Sequence, residues 1–428
     1  MRIALWFLAL FAVAVAAALF AGDNPGSVTL FWPPYRVDLS LNLVLLLLVG
    51  AFFTLHLALR TLSALFSIPR EARQWRLRQR ERSMQQALLE ALSQLVSGRF
   101  VRARKAAESV LFQVRSLESG GDKLGYGARL QAIAHLVAAE AAHALQDRAA
   151  REQHHHAALE HAARVATPET REGVQLRAAR WALDDRDAPG ALQLLDEMGQ
   201  GAARRTLALR IQLKAARMAR QTIQGLETAR LLAKHRALSE TAAHGVLQGL
   251  ALELLGASHD TAQLLAAWGR LDAHERAMPD VAMQAAERLL ALGGEAALAR
   301  QWLLPVWERL LARGPVEGAL NPVQALRLVR ALEKSFDAVQ PAPEAEWLQR
   351  IEVAQRQAPG NAMLQYLAGV ACKRLQLWGK ARQLLHQAQH RLQDSGLGRS
   401  AWRHLAELAE QHGDAEEAAA AWRKAALS

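Results

Sequence analysis

Two long apolar runs lie at the start of the chain, separated by a polar, turn-rich segment. The first run, 3–21, contains no charged residue, and the second, 39–59, has only Ser, Asn, Thr and His as polar interruptions. A helix rises about 1.5 Å per residue, so each run is long enough to cross a hydrocarbon core of about 30 Å. The pattern predicts a transmembrane hairpin in residues 1–59, with helices over about 3–21 and 39–59.

The segment between the runs, "GDNPGSVTLFWPPYRVDLSLN" (22–42), is predicted to be a short turn at one membrane surface. Its Asn, Pro and Gly residues interrupt helices, and Phe31, Trp32 and Tyr35 are the aromatic types enriched at headgroup level. A cleaved signal peptide is the alternative reading of the first run. That run is longer than the usual apolar region of roughly 7 to 15 residues, and the site before Gly22 is a poor small-x-small site, so we favour retention of the hairpin.

Positive charge is concentrated directly after the second run. Residues 1–59 have no net charge, so the net charge of +11 lies from Arg60 onward, and 60–83 alone holds seven Arg against two Glu. The positive-inside rule then predicts a multi-pass inner-membrane protein with its N-terminus and C-terminal domain in the cytoplasm. A basic helix beside anionic headgroups explains this charge. Nucleic acid is not predicted as a partner, because no dense basic stripe with interleaved aromatic residues follows.

The pattern from residue 84 to residue 428 is helical throughout. Good helix formers dominate, no period-2 alternation is found, and Pro and Gly divide the segment into pieces of helix-pair length. The predicted fold class is all-α. It comprises a two-helix transmembrane hairpin (1–59), a basic juxtamembrane helix (60–83) and an α-solenoid of the tetratricopeptide (TPR) type (84–428). Pro305 is expected to kink or end a helix.

The clearest repeat is a tandem pair of helix-turn-helix units at the C-terminal end, offset by 37 residues. Small residues at fixed positions let paired helices approach closely, while Trp and Leu fill the groove between units. The predicted packing positions are Ala103, Ala191, Ala299, Trp378, Ala381, Leu385, Trp402, Ala418 and Trp422. Residues 204–234 and 314–343 fit the pattern poorly and are predicted only as helices.

Candidate chemistry is sparse. In "HHHAALEH", His156 and Glu160 lie one helical turn apart and His154 and His161 share a face, but without Cys partners a solvated face of exposed histidines is the favoured reading over a metal site. Cys372, the single cysteine, could ligate haem as a thiolate, yet its repeat position favours a buried core residue. No dinucleotide turn, phosphate loop, nucleophile elbow or HExxH pattern occurs, so we predict no enzyme activity, no catalytic residue, no metal and no resident cofactor. Direct contact with haem or porphyrin stays an open alternative.

The order of apolar hairpin, basic helix and repeat array resembles the HemY family. The matching residues are Asn24, Pro25 and Gly26, the run with Tyr35, Arg36 and Asp38, and "QLWGKAR" at 376–382. The resemblance implies an inner-membrane protein of proteobacteria linked to a late step of protohaem synthesis, and it supplies no catalytic residues.

The function implied by this resemblance is a membrane-anchored TPR scaffold that binds haem-pathway enzymes through its solenoid groove. A TPR adaptor for cell-envelope or lipopolysaccharide assembly is the alternative. Related adaptors often end in a Cys-x-x-Cys metal module, which a chain with one cysteine cannot form.

Overall fold

The structure, a computed structural model, describes residues 13, 22, 26–120, 124–165, 168–312, 320–337 and 345–427, without side chains for 62–74. The first predicted span (about 3–21, apart from Val13) and the signature residues Asn24 and Pro25 therefore lie outside the described residues. The chain forms two compact units, Met1–Val165 and Ala166–Ser428.

The first unit contains two strands and four helices in its described part. They are β1 (Ser27–Trp32), β2 (Tyr35–Ser40), α1 (Leu41–Val96), α2 (Phe100–Ser119), α3 (Gly127–Ala144) and α4 (Arg148–Ala163). The helices pack as consecutive antiparallel neighbours.

The second unit is entirely helical in its described part. Its helices are α5 (Glu169–Asp184), α6 (Ala188–Asp196), α7 (Gln200–Ala203), α8 (Thr206–Met218), α9 (Thr222–Lys234), α10 (Glu240–Gly256), α11 (Thr261–Arg270), α12 (Ala273–Arg276), α13 (Pro279–Ala291), α14 (Ala296–Leu311), α15 (Pro322–Asp337), α16 (Ala345–Gln357), α17 (Ala362–Arg374), α18 (Trp378–Gln389), α19 (Ser395–Gln411) and α20 (Ala415–Leu427). Neighbouring helices pair, and α15 also contacts α13 and α17. This is the contact pattern of a TPR-like helical repeat array.

The all-α prediction misses a β-hairpin in the segment that was read as a turn. Strands β1 and β2 pair antiparallel, from Ser27 opposite Ser40 to Trp32 opposite Tyr35, and only Pro33 and Pro34 form the turn. Alternating polar and β-branched or aromatic residues in both strands favour this extended pairing.

The second predicted span begins two residues later than expected and does not end near residue 59. Helix α1 starts at Leu41, where the Ser40 side chain caps it by accepting a hydrogen bond from the backbone N–H of Leu43 (3.3 Å). It continues through the predicted juxtamembrane helix into the first repeat, because Arg, Gln, Leu and Glu dominate 70–96 and favour the helix. At about 1.5 Å per residue it is about 84 Å long. Within it, Leu41–Thr61 is the one segment among the described residues that is long and apolar enough to cross a membrane.

The helix pairs share one type of turn. A residue with positive φ follows the first helix, and the next backbone N–H donates to the carbonyl five residues earlier, which is the longer bond of a Schellman motif. This turn occurs at Gly98, Gln146, Arg186, Arg220, Arg236, Gly293, Gln376 and Gly413. The repeated geometry sets the antiparallel pairing even where the sequence repeat is weak, including 204–234.

The two helices of the penultimate pair approach each other closely at Gly369 of α17. A Cβ atom there would lie 2.7 Å from Cγ and 3.2 Å from the backbone nitrogen of Leu385 in α18. Leu385 itself is fully buried. The glycine therefore permits a helix separation that a larger residue would prevent.

Pro305 does not end a helix: α14 runs through it from Ala296 to Leu311. The expectation of a helix end there is wrong. The tryptophans that flank it are both packed: Trp302 stacks on Trp268 with ring centroids 4.5 Å apart, and the buried Trp307 meets Trp347 edge-on at 6.1 Å.

Candidate functional site

An open groove in the second unit lies between α8, α9 and α10. It is lined by Arg210, Leu213, Lys214, Arg217, Met218, Leu232, Leu238 and Glu253. The three cations share one face of α8 because they are spaced four and three residues apart. Leu213, Met218 and Leu238 give accessible apolar surface next to the fully buried Leu232, so the groove combines a basic edge with an apolar floor.

The basic edge of the groove is available to a ligand. The Arg210 guanidinium is fixed by donating a hydrogen bond to the carbonyl oxygen of Ala237 (2.8 Å). Lys214 and Arg217 are exposed. Glu253 is the one acidic residue of the lining. The local excess of positive charge and the apolar floor suit a segment that is both acidic and apolar.

The sequence prediction assigned only helices to this region. The spacing of Arg210, Lys214 and Arg217 was a readable signal for a basic helix face. That this basic face lies beside Leu232, Leu238 and Glu253, which belong to other elements, cannot be predicted without the fold.

A second candidate is a network of charged side chains on three helices, α15, α17 and α19. The buried ammonium of Lys373 donates a hydrogen bond to Glu407 and lies 3.0 Å from Nδ1 of His404. On its other side, Nε2 of the buried His404 ring lies 3.3 Å from Oε1 of the buried Glu333. Arg403 lies within 3.6 Å of Glu333 and 3.7 Å of Glu407.

The carboxylates of this network stay ionised. Burial alone would raise the pKa of Glu407, but hydrogen bonds from His404 and Lys373 outweigh it and lower that pKa to about 2. Burial opposes ionisation of Glu333 as well, yet contact with His404 leaves its pKa below the ordinary value. Burial lowers the pKa of Lys373, and Glu407 partly offsets this effect.

This network does not fit a metal centre. Donor atoms of Glu333, Asp337 and His404 lie within 4.8 Å of one another, which is close enough to share an ion. However, Arg374 donates a hydrogen bond to Asp337, and Arg403 neighbours both carboxylates. The cations present therefore already compensate the negative charge that a metal ion would need. The arrangement holds three repeat helices in register.

The histidines of α4 are not the exposed, solvated face that was predicted. Nδ1 of His154 lies 2.9 Å from Nδ1 of His135, a nearly fully buried residue of α3, and the ring of His161 stacks on that of His135 with centroids 5.5 Å apart. His156 is the exposed exception and lies 3.6 Å from Glu160. The prediction failed because His135 comes from a neighbouring helix that local spacing does not reveal.

The clustered histidines are held neutral. Burial, followed by the nearby His154, His161 and Arg115, lowers the pKa of His135 to about 4. Burial also lowers the pKa values of His154 and His161. Two neutral imidazoles can share one N–H···N hydrogen bond, so the contact needs no ion.

Cys372 is fully buried, as its position in the repeat predicts. Burial raises the pKa of its thiol to about 11. At neutral pH it is therefore a thiol, a poor form for ligating haem iron.

The predicted small packing residues occupy one structural position. Ala103, Ala191, Ala299, Ala381 and Ala418 are each the fourth residue of the second helix in a pair, and all are buried. A small side chain there lets the two helices approach directly after the turn.

The predicted tryptophans lie nearer the surface than the alanines. Trp378 is half-buried and meets His412 edge-on. Trp402 is half-buried beneath the Lys424 ammonium, 4.3 Å from its ring centroid. Trp422 is 39% exposed and its indole N–H donates to Glu410 (2.7 Å). These rings cover the edges of the helix pairs rather than filling the core.

The described signature residues lie around the β-hairpin. The carbonyl of Gly26 accepts a hydrogen bond from the Leu41 N–H (2.9 Å), which ties the hairpin to the start of α1. Tyr35 opposes Trp32 beside the turn. Arg36 lies 3.5 Å from Asp38 and over the ring of Phe31. The signature therefore forms a compact hairpin at the head of the membrane-capable helix.

Comparison with solved structures finds matches of low similarity. The chain shares 12% identity with a chain of Naa15/Naa10 bound to HypK-THB, covering 78% of this chain and 57% of that one (TM-score 0.24). It shares 15% with a chain of the APC/C hetero-tetramer Cut9–Hcn1, covering 80% and 66% (TM-score 0.28). It shares 13% with the P58(IPK) TPR domain, covering 77% and 99% (TM-score 0.22). The TPR-like assignment therefore stands on the helix pairs and turns described above.

The comparison of sequences is more specific. No curated protein matches the chain significantly. Residues 26–146 match the family described as the HemY protein N-terminus. The matched region starts at the β-hairpin and includes all of α1, α2 and α3. This match lies in the region that carries the signature hairpin and confirms the predicted resemblance to the HemY family.

Proposed function

We propose that this protein is a membrane-anchored, non-catalytic scaffold that holds haem-pathway enzymes at the inner membrane during a late stage of protohaem synthesis. One observation carries the proposal. In a chain whose residues 26–146 match the HemY protein N-terminus, the continuous helix α1 joins a membrane-capable segment, Leu41–Thr61, to the first helix pair of a repeat array. The membrane-capable segment is thus continuous with the start of the repeat array.

The proposed topology follows from charge. Two spans, 3–21 and the start of α1, place the β-hairpin outside and both the N-terminus and the repeat array in the cytoplasm. The hairpin has one Arg, Arg36, whereas the seven Arg of 60–83 follow the second span. The cytoplasm is also where soluble enzymes of the pathway would meet the array.

The groove of α8, α9 and α10 is the proposed partner site. TPR-like arrays bind extended or helical segments of other proteins along such surfaces. The exposed Lys214 and Arg217 would pair with acidic side chains, and the apolar floor over Leu232 would bury hydrophobic ones. We therefore expect a partner segment with Asp or Glu next to Leu, Ile or aromatic residues.

Co-purification from native membranes tests the proposal. The full chain and an Arg210→Glu/Lys214→Glu/Arg217→Glu variant are expressed at the native level, and bound proteins are quantified by mass spectrometry. The matched control, Arg171→Glu/Arg399→Glu/Arg423→Glu, changes the net charge equally at exposed positions away from the groove. We expect a haem-pathway enzyme with the wild type and the control, and its loss with the groove variant.

Two results would contradict the proposal in different ways. Recovery of envelope or lipopolysaccharide assembly proteins in place of haem-pathway enzymes would favour the alternative adaptor. Equal recovery with all three chains would place the partner site elsewhere in the array.

A further inference from the structure

The β-hairpin is amphipathic along its whole length. Successive residues of a strand point to opposite faces of the sheet, and directly opposed residues share a face. The register pairs Val28 with Leu39, Leu30 with Val37 and Trp32 with Tyr35 on one face. The other face carries the pairs Ser27 with Ser40, Thr29 with Asp38 and Phe31 with Arg36. One face is therefore entirely apolar, and the other is polar apart from Phe31.

The apolar face is largely uncovered by the described part of the chain. Trp32 and Tyr35 are 73% and 72% exposed, and Leu30 and Val37 are 53% and 45% exposed. Such a contiguous apolar surface on a small element marks an interaction site.

The neighbouring helix indicates what covers this face. Leu41 follows β2 directly, its N–H donates to the Gly26 carbonyl at the base of the hairpin, and it begins the segment Leu41–Thr61, none of which is buried within the chain. The hairpin base is therefore held at the level where this helix would leave the hydrocarbon core.

Backbone chemistry limits how deep the hairpin can lie. A two-stranded sheet leaves the outer N–H and C=O groups of both strands unpaired, and these groups cannot enter hydrocarbon without a large penalty. Six residues per strand span about 20 Å, whereas the headgroup zone is only about 5–8 Å thick on each side. The whole apolar face can contact this zone only if the hairpin lies along the membrane surface.

We propose that the β-hairpin lies flat in the outer headgroup region, with its apolar face toward the lipid chains and its Thr29–Asp38 face toward water. Trp32 and Tyr35 then anchor the hairpin tip at the interface, as aromatic residues do at membrane surfaces. The hairpin is thereby a lipid-binding element and more than a connection between spans. This inference rests on the proposed membrane anchoring.

Spin-label accessibility tests the inference on the full chain. Single Cys variants in a Cys372→Ala background are labelled with a nitroxide and reconstituted in phosphatidylethanolamine–phosphatidylglycerol vesicles. Collision rates with oxygen, which concentrates in lipid, and with a water-soluble nickel chelate are then measured. Val37→Cys and Leu30→Cys probe the apolar face, and Asp38→Cys and Thr29→Cys are matched controls on the same strands.

Two reference labels separate failure of this inference from failure of the anchoring. Leu48→Cys, exposed within α1, reports the hydrocarbon core, and Leu427→Cys, 88% exposed in α20, reports water. We expect oxygen-to-nickel ratios several-fold higher at Val37 and Leu30 than at Asp38 and Thr29, with values between those of the two references.

Every other pattern overturns the inference. Water-like values at all four hairpin positions, with a lipid-like Leu48 label, would show that the hairpin projects from an anchored protein. Low accessibility to both reagents at Val37 and Leu30 would show that protein, such as the preceding apolar run or a second chain, covers the face. A water-like Leu48 label would overturn the membrane anchoring and this inference together.

Discussion

The close packing at Gly369 predicts that the smallest enlargement there destabilises the penultimate helix pair. In Gly369→Ala the new Cβ would lie 2.7 Å from Cγ and 3.0 Å from Cδ2 of Leu385, and 3.2 Å from its backbone nitrogen. The leucine side chain can rotate, but the backbone nitrogen moves only if α17 and α18 separate. Overpacking of this kind costs about 1–3 kcal/mol, and the better helix propensity of Ala returns up to about 1 kcal/mol. We expect a net loss of about 1–2 kcal/mol.

Amide hydrogen exchange measured by mass spectrometry locates this effect. Because about 1.4 kcal/mol is a tenfold change in an opening equilibrium, α17 and α18 should exchange about 5- to 30-fold faster in the variant. Gly249→Ala in α10 is the matched control, since nothing lies within 4 Å of its new Cβ. That control should exchange at the same rate or more slowly. Unchanged or slower exchange in Gly369→Ala would refute the proposed helix approach.

Three further predictions concern a turn, the charged network and the histidines. Gln376 has φ 61° in the turn between α17 and α18, a conformation that glycine adopts at less cost than other residues. Gln376→Gly should therefore raise the free energy of unfolding by about 0.5–1 kcal/mol, measured as a higher urea midpoint. A lower midpoint would show that the glutamine side chain is needed. Glu407→Gln should destabilise α19 by about 2 kcal/mol. The loss should be smaller than that for a fully buried ion pair, because Glu407 is about one-third exposed. Unaltered hydrogen exchange in α17 and α19 would contradict the role given to Lys373. The pKa of His135 is about 4 in the folded chain, below its ordinary value of 6.5, so the unfolded chain binds the proton more readily. The stability of the first unit should therefore fall as the pH drops from 6.5 through 4. His135→Gln should flatten this pH dependence in hydrogen-exchange measurements on α3 and α4.

The parts of the fold that local spacing encodes were predictable. Alanines such as Ala381 and Ala418 recur at a fixed distance from their turns, so helix pairing could be read from the sequence. The β-hairpin was also encoded, in the alternation of Ser27 and Thr29 with apolar residues in β1 and of Arg36 and Asp38 with apolar residues in β2. The Pro and Gly residues around it favour a turn, and this signal masks the alternation.

The remaining features depend on residues that are distant in the sequence. Glu333 and His404 meet although 71 residues separate them, and His135 reaches the α4 histidines from another helix. The basic edge of the candidate groove is local to α8, but part of its floor comes from α9 and the following loop. Arg186 and Gln376 adopt positive φ without being glycine, so the shared turn left little trace in residue type. Asp187, which caps the next helix after Arg186, was the available signal.

The most direct test of the anchored scaffold separates binding from anchoring in a strain that lacks the protein. Haem content is measured with the full chain, with residues 75–428 alone, and with the same fragment attached to an unrelated two-span hairpin of the same orientation. A scaffold acts by raising the local concentration of its partners, so loss of the anchor should abolish its effect while binding persists. We predict that 75–428 still co-purifies the haem-pathway enzyme but leaves haem content low, and that the unrelated hairpin restores most of it. Full restoration by 75–428 at the native expression level would contradict the account and would point to a freely diffusing activity of the helical array.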